Sequence, residues 1–461
     1  MVSLALNDIQ GNVLQGYNFP SAAYLFLSVP DAASGRAYLR DLAGQVTTGE
    51  RWQAPPASAV NVALTYAGLA ALGVPGATLQ TLPDAFREPI RDRAPRVLDD
   101  TGPSAPDRWD EGLGTERAHV LVMLNGGRDD PGAFRDAVAA AVVQAEAAGL
   151  QVVHRQDAAA LDHRREHFGW ADGFGQPAIE GAPARSRPGQ GVPQDDGLTW
   201  RDLKAGEFVH GYPDEDGHVV SGPAASLLRN GTFMVYRKLY QDVARFRREL
   251  YAEAARYGET IGAELDGDQL YELMAAKVVG RWRDGVAIEL VERRSDAESR
   301  DLGSRAQAEP DNDFRYMDGD GAGLRCPKGA HIRRTNPRDA LGWGGQMSIR
   351  HRIIRRGMPY GEWLPGLEDD GRDRGLVFIC FNADFERQFE VIQAQWCNDG
   401  NAFRLGNDKD YLLGDNKGTG KVTIQGSPPH FAQAQPLIVL TRGCEYLLVP
   451  GIAALRELAG R

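Results

Sequence analysis

An α+β protein built from two similar halves, each an antiparallel sheet with helices packed against it, is predicted by three features of the sequence. Short apolar runs alternate with capped amphipathic helices, the same strand–helix order returns in the second half, and a Pro-, Gly- and Arg-rich tract at 182–197 separates the two. With 461 residues the chain exceeds the usual single-domain range, so two core-forming units are expected, at 1–190 and 191–461.

In the first half, residues 24–29 form an apolar run suited to a buried strand. Asp31 is placed to cap a helix carrying Tyr38, Leu39, Leu42 and Val46. Residues 119–124 are a second strand, followed by Asp130 as N-cap, Pro131 at the first helical position, an Ala-rich helix and Gly149 as its stop. Strands at 150–155 and 60–65 complete the split βαβ pattern of a ferredoxin-like unit. The second half follows the same plan. Residues 233–236 are a strand, and Asp242 caps a helix with Val243, Phe246, Leu250 and Ala254 on its apolar side. Residues 375–382 form a later strand, and Asp384 opens a helix through Phe389 and Ile392. The polar tract 293–323 reads as an exposed connection.

Composition narrows the function. Apolar residues at 42% and charged residues at 25% are ordinary globular values, which excludes a disordered or collagen-like chain. A net charge of -11 opposes nucleic acid and anionic membranes as partners. The longest apolar runs, such as 120–124 and 437–440, fall far short of the roughly 20 residues that span a bilayer. The opening MVSLALNDIQGNVLQGYNF has no basic region followed by an apolar stretch, so a cytoplasmic location is expected. Cys326, Cys380, Cys397 and Cys444 form no CxxC pair, which speaks against a zinc ribbon or a disulfide framework. No CxxCH attaches haem covalently, and no GxxxxGK[ST] loop cradles phosphate.

Three segments carry chemistry. In Gly169-Trp170-Ala171-Asp172-Gly173-Phe174-Gly175-Gln176-Pro177, glycines surround one carboxylate. Glycine permits positive φ and close approach of backbone to a flat ligand, so the loop can present Asp172 into a cavity; a plain turn with Asp as a local cap is the alternative. In Cys326-Pro327-Lys328-Gly329-Ala330-His331-Ile332-Arg333-Arg334-Thr335-Asn336-Pro337-Arg338, one histidine stands among guanidinium groups. A neutral imidazole can ligate haem iron and arginines can pair with its propionates; a structural histidine amid surface charges is the alternative. In His351-Arg352-Ile353-Ile354-Arg355-Arg356-Gly357-Met358-Pro359-Tyr360-Gly361, strand alternation points Arg355 and Arg356 in opposite directions. Arg355 can then enter a partly apolar cavity, unless both arginines are surface charges.

Together and in this order, GxxDG, HIRRTNPR and IIRRGMPYG resemble the dye-decolorizing peroxidases, as does the opening Asp8-Ile9-Gln10-Gly11-Asn12. The resemblance covers nearly the whole chain. The segment Glu207-Phe208-Val209-His210-Gly211-Tyr212-Pro213 looks most like the long cytoplasmic bacterial subgroup called type C or class V. It implies two ferredoxin-like domains of dimeric α+β barrel type, with non-covalent haem b held mainly by the second. It implies reduction of hydrogen peroxide to water, through a ferryl intermediate, and oxidation of dyes, phenolic or lignin-like aromatics and, as a further candidate, manganese(II). It makes His331 the proximal iron ligand, Arg338 a propionate partner, and Asp172 and Arg355 the distal catalytic pair. Asp384 becomes the candidate hydrogen-bond partner of His331, with Glu390 in reserve and a helix N-cap as the plain alternative for Asp384. Gly173 would lie against the cofactor.

A carboxylate titrates near 4 and a histidine near 6.5, so a peroxidase relying on Asp172 should favour acidic pH. The acidic stretch with Glu253, Glu259, Glu264 and Asp266 is a candidate manganese(II) site or, more simply, a solvated face. A haem carrier without turnover is the competing reading, and a monomer or homodimer is expected.

Overall fold

The computed structural model describes residues 2–162, 165–184, 186–194, 196, 199–292, 312–414, 420–433 and 436–460. The first half contains β1 (Ser21–Ser28), α1 (Ala32–Ala43), β2 (Ser58–Leu64), β3 (Val120–Gly126), α2 (Pro131–Ala147) and β4 (Gln151–Ala159). The second contains β5 (Thr232–Gln241), α3 (Val243–Ile261), α4 (Gly267–Val279), α5 (His331–Thr335), β6 (Ile354–Arg355), β7 (Met358–Tyr360), β8 (Gly375–Asn382) and α6 (Phe385–Cys397), which has π-type winding. The hairpin β9 (Lys421–Ile424) and β10 (His430–Gln433), β11 (Val439–Val449) and α7 (Ile452–Gly460) follow. The helix starts obey local chemistry: Asp31, Asp130, Asp242 and Asp384 each accept the backbone N–H three residues on.

One antiparallel sheet runs through the molecule in the order β4-β1-β3-β2-β11-β5-β8-β6, with β7 also on β8. Its first four strands stand in the order fourth, first, third, second. The last four repeat that order within the second half, so each half is a ferredoxin-like βαββαβ unit, as expected. The halves meet through Leu64 of β2 and Leu448 of β11.

Both faces of the sheet are buried, which is why its strands read as continuous apolar runs. Ala23, Leu25 and Leu27 pack with the helices, among them Leu39 of α1, Val138 of α2 and Leu455 of α7. Ala22, Tyr24 and Phe26 face the other way, into a core shared with Tyr236 of β5. The rings of Phe26 and Tyr236 are 4.9 Å apart although four strand steps separate β1 from β5, so the sheet curls back upon itself in the manner of a barrel.

Most of the tract read as an exposed connection, 293–311, lies outside the described residues. Its described remainder departs from the expectation: Asn312, Phe314, Tyr316 and Asp320 are buried. Their side chains bond or stack with Arg281, Arg333 and Arg338, a tertiary demand that polar composition does not register.

Candidate active site

Helix α5 has five residues, too few to be stable alone, and it is held by its arginines. Arg333 donates to Asp320 Oδ2 (3.2 Å) and to the carbonyls of Cys326 and Asp320, and lies over the Tyr316 ring. Arg334 donates to the carbonyls of Gly329, Trp396, Asp399 and Asp408. Both guanidiniums are thus consumed in orienting the helix, and neither is left for an anionic ligand.

That orientation sets His331 Nδ1 3.0 Å from Asp410 Oδ2. Asp410 is fully buried, and its other oxygen accepts the N–H groups of Leu412 and Leu413 at 2.9 Å each. Burial opposes ionisation of Asp410, but the neighbouring His331 and Arg334 and the Leu413 N–H outweigh it and hold the carboxyl below its ordinary value. Burial likewise lowers the pKa of His331, and Asp410 more than reverses this. A carboxylate can only accept, so Nδ1 carries the proton and Nε2 presents its lone pair.

The partner of His331 is therefore Asp410 and not Asp384. Asp384 caps α6 by accepting the Arg387 N–H at 2.9 Å, which was the plainer of its two readings. Glu390 accepts from Arg93 at 2.7 Å and from the Tyr446 hydroxyl at 2.9 Å. Asp410 escaped sequence reasoning because it lies 79 residues from His331 in an irregular turn. Its one local trace is a pair of aspartates, Asp408 and Asp410, beside the apolar Tyr411-Leu412-Leu413, and both aspartates prove buried.

The GxxDG loop is pinned from several sides. Glu166 accepts the Phe168 and Trp170 N–H groups, the Ala171 N–H goes to the Arg283 carbonyl, and Asn312 donates to the Phe174 carbonyl. Asp172 projects from it with both carboxylate oxygens 2.9 Å from Nη1 of Arg355. Burial would raise the Asp172 pKa, but the Arg355 guanidinium and the Gly173 N–H (2.6 Å) overcome that and lower it. Gly173 has φ +98°, with nothing within 4 Å of where a Cβ would stand, so its requirement is conformational and not one of space. Alternation along β6 acts as expected: Arg356 turns away to the carbonyls of Asn12, Val13 and Gln15.

His331, Asp172 and Arg355 line one cavity of about 280 Å³, walled by apolar groups that include Leu376, Phe378, Phe389 and Val439. A wider cavity of about 840 Å³ lies against the other side of the Asp172–Arg355 pair, and Gly173 lines this outer one only. Arg338 and Arg352 also line the inner cavity. Arg338 donates to the carbonyls of Asn312 and Phe314 at 2.8 Å, and burial pulls its pKa down to about 10. Arg352 donates to the Gln190 carbonyl at 3.2 Å, and burial pulls it to about 9. Neither forms an ion pair with a carboxylate among the described residues. Guanidiniums drawn out of water with no carboxylate in direct contact favour an anionic ligand.

A family model described as Dyp-type peroxidase, C-terminal, matches residues 226–407. Dye-decolorizing peroxidase msp1 of Mycetinis scorodonius is 28% identical, covering 99% of this chain and 88% of that protein. The multifunctional dye peroxidase DyP2 of an Amycolatopsis species is 28% identical over 98% of this chain and 96% of its own length. Solved structures of an ancestral D-type dye decolorizing peroxidase (TM-score 0.82) and of a dye-decolorizing peroxidase in complex with 2,6-dimethoxyphenol (TM-score 0.81) are each 26% identical. Each covers 99% of this chain and 100% of its own. The chain is thus similar over nearly its whole length to dye-decolorizing peroxidases, in sequence and in fold.

Peroxidases of this family use haem, and the residues of the inner cavity fit it. Haem asks for a neutral nitrogen ligand backed by an acceptor, apolar walls for the ring and cations for two propionates. His331 with Asp410, the Phe378–Phe389 walls, and Arg338 with Arg352 supply that donor set. Arg352 was not singled out in the sequence, where it reads as one more charge in a basic run. Replacing Asp410 with alanine is expected to weaken haem retention about 10- to 100-fold, measured as haem transfer to an excess of an apo-protein acceptor.

In the acidic stretch that runs from α3 to the start of α4, two carboxylates are already engaged. Glu253 is buried against His430 Nε2 (2.7 Å), the Gln433 N–H and Arg256, and Asp266 caps α4. Among the described residues no group of three His, Cys, Asp or Glu is placed to hold a metal ion. No described helix is long and apolar enough to cross a membrane.

Proposed function

We propose that this protein is a dye-decolorizing peroxidase that reduces hydrogen peroxide to water and oxidises dyes and phenolic or lignin-like aromatics, with non-covalent haem b held by His331 and its propionates met by Arg338 and Arg352. The observation that carries the reading is one cavity with a carboxylate-backed histidine on one wall and the Asp172–Arg355 pair on another. Haem supplies the redox chemistry when bound, taking two oxidising equivalents from peroxide and passing them singly to aromatic reductants.

The protein's own groups move the proton and meet the charge. Peroxide arrives as a neutral acid, and cleavage of its O–O bond needs a proton carried from one oxygen to the other, so that the leaving oxygen departs as water. Asp172 accepts that proton and returns it to the leaving oxygen. Arg355, fixed against Asp172, stabilises the negative charge that builds during the transfer. The outer cavity leads to the same pair and is the route by which peroxide reaches it. Membership of the type C or class V subgroup, and with it a cytoplasmic location, belongs to this proposal, supported by the segment 207–213.

Adding one equivalent of peroxide to the haem-loaded protein tests the reading. A rapid change of the visible spectrum, reversed by a phenolic reductant, is expected; slow bleaching without recovery would instead mark a haem carrier. Turnover requires Asp172 ionised, and Arg355 lowers its pKa. The activity should therefore hold as pH falls to about 4, the ordinary carboxylate value, and fail only below it. A profile of kcat/KM for peroxide against pH measures that limb, and loss of activity already at pH 6 would count against Asp172 as the base.

A further inference from the structure

The ion pair between Asp172 and Arg355 does not secure its own geometry. Both carboxylate oxygens of Asp172 are met by one guanidinium nitrogen, Nη1, so the contact lacks the two-pronged geometry that fixes a guanidinium against a carboxylate. Something else must fix the guanidinium against the carboxylate.

Strand β6 has two residues and ends the sheet order, paired to β8 only through Ile354 with Phe381 and Arg355 with Cys380. The Arg356 N–H goes to the Ile379 carbonyl within the sheet. The N–H and carbonyl of Arg355 therefore point outward, along the free edge, where an unpaired strand would leave both without sheet partners. Gln176 fills that edge. Its Oε1 accepts the Arg355 N–H at 3.0 Å, and its Nε2 donates at 3.1 Å to the Arg355 carbonyl, which also accepts from Arg356 Nη1 at 2.9 Å. One carboxamide thus stands in for a neighbouring strand, and it comes from the same loop that carries Asp172, four residues earlier. The loop is itself anchored nearby, by Asn312 on the Phe174 carbonyl at 2.8 Å and by the Ala178 N–H on the Gln190 carbonyl at 3.0 Å.

We infer that Gln176 is a positioning residue for peroxide cleavage: its carboxamide joins the main chain of Arg355 to the Asp172 loop and so sets the two distal groups in register. The inference rests on the proposed roles of Asp172 and Arg355. It couples the halves of the molecule at the one place where a group from each must act on the same substrate, and misplacement by about an ångström is enough to cost rate.

The test uses the full-length, haem-loaded protein and the variants Gln176→Ala and Gln176→Glu. The second keeps the shape and the acceptor for the Arg355 N–H but loses the donor to its carbonyl. In both, the second-order rate of reaction with peroxide is expected to fall about tenfold or more. Cyanide, titrated by its effect on the haem absorption band, should bind more weakly because Arg355 no longer stands fixed at the ligand. Haem content and KM for an aromatic reductant should stay within about twofold, since neither depends on that register. The acid limb of the peroxide rate should move to higher pH as Arg355 drifts from Asp172.

Wild-type peroxide rates and cyanide affinity in both variants would overturn the inference. Loss of haem or of folding in both, with an unchanged peroxide rate per bound haem, would overturn it in favour of a purely structural glutamine. Failure of the underlying mechanism is a separate result, visible as a wild-type peroxide rate in Asp172→Ala.

Discussion

Replacing Asp172 with alanine is expected to lower kcat/KM for hydrogen peroxide by about 10²- to 10⁴-fold, the usual range for removing a general acid–base group. The effect should be confined to peroxide. Asp172 bonds with Arg355 and the Gly173 N–H, and among the described residues none of its hydrogen bonds reaches the His331 helix, so haem content should not change. KM for an aromatic reductant should also stand. Asp172→Asn is the sharper comparison, because it keeps the size and the contact with the Gly173 N–H but cannot take a proton at the carboxylate. Stopped-flow rates with peroxide, set beside the haem absorption of the same samples, decide the matter. A rate near wild type for both variants would mean that the proton moves by another route.

The second large effect is expected from Arg355→Leu, about 10²- to 10³-fold in the peroxide rate, the magnitude found when one preorganised donor to a developing anion is removed. This variant carries a further consequence that a generally damaged site would not show. Two opposed influences act on the Asp172 carboxyl: burial raises its pKa and the Arg355 guanidinium lowers it. With the guanidinium gone, burial acts with less opposition, and the carboxyl takes its proton at higher pH. The residual activity of Arg355→Leu should therefore fail at a higher pH than that of the wild type as the solution is acidified. An unshifted acid limb would show that Arg355 does not govern the ionisation of Asp172, whatever its effect on rate. The leucine fits the apolar wall beside Leu376 and Phe378, so the fold should tolerate the change.

The sequence by itself determined whatever depends on neighbours along the chain. Apolar runs such as 24–29, most of which falls in strand 21–28, the aspartate caps at 31, 130, 242 and 384, and the outward–inward alternation of Arg355 and Arg356 are local physics. Each was legible from residue type and spacing. His331, Asp172 and Arg355 sit in short segments rich in glycine, proline and arginine, but each segment alone left a structural reading open, and only the resemblance of the three in order gave them roles.

Only the tertiary structure decided what those residues meet. Asp384 obeys its local rule and caps a helix, so it cannot also reach His331, and the task falls to Asp410, 79 residues away in a turn without periodicity. Arg333 and Arg334 look like cofactor partners in the HIRR segment, but burial makes them bind backbone carbonyls. Arg352, one more charge in a run, faces the cavity without a carboxylate. Glu253 looks like a solvated acid until β10 brings His430 against it. In each case a charged side chain removed from water must find a partner, and the partner available is set by which distant elements the curled sheet brings alongside.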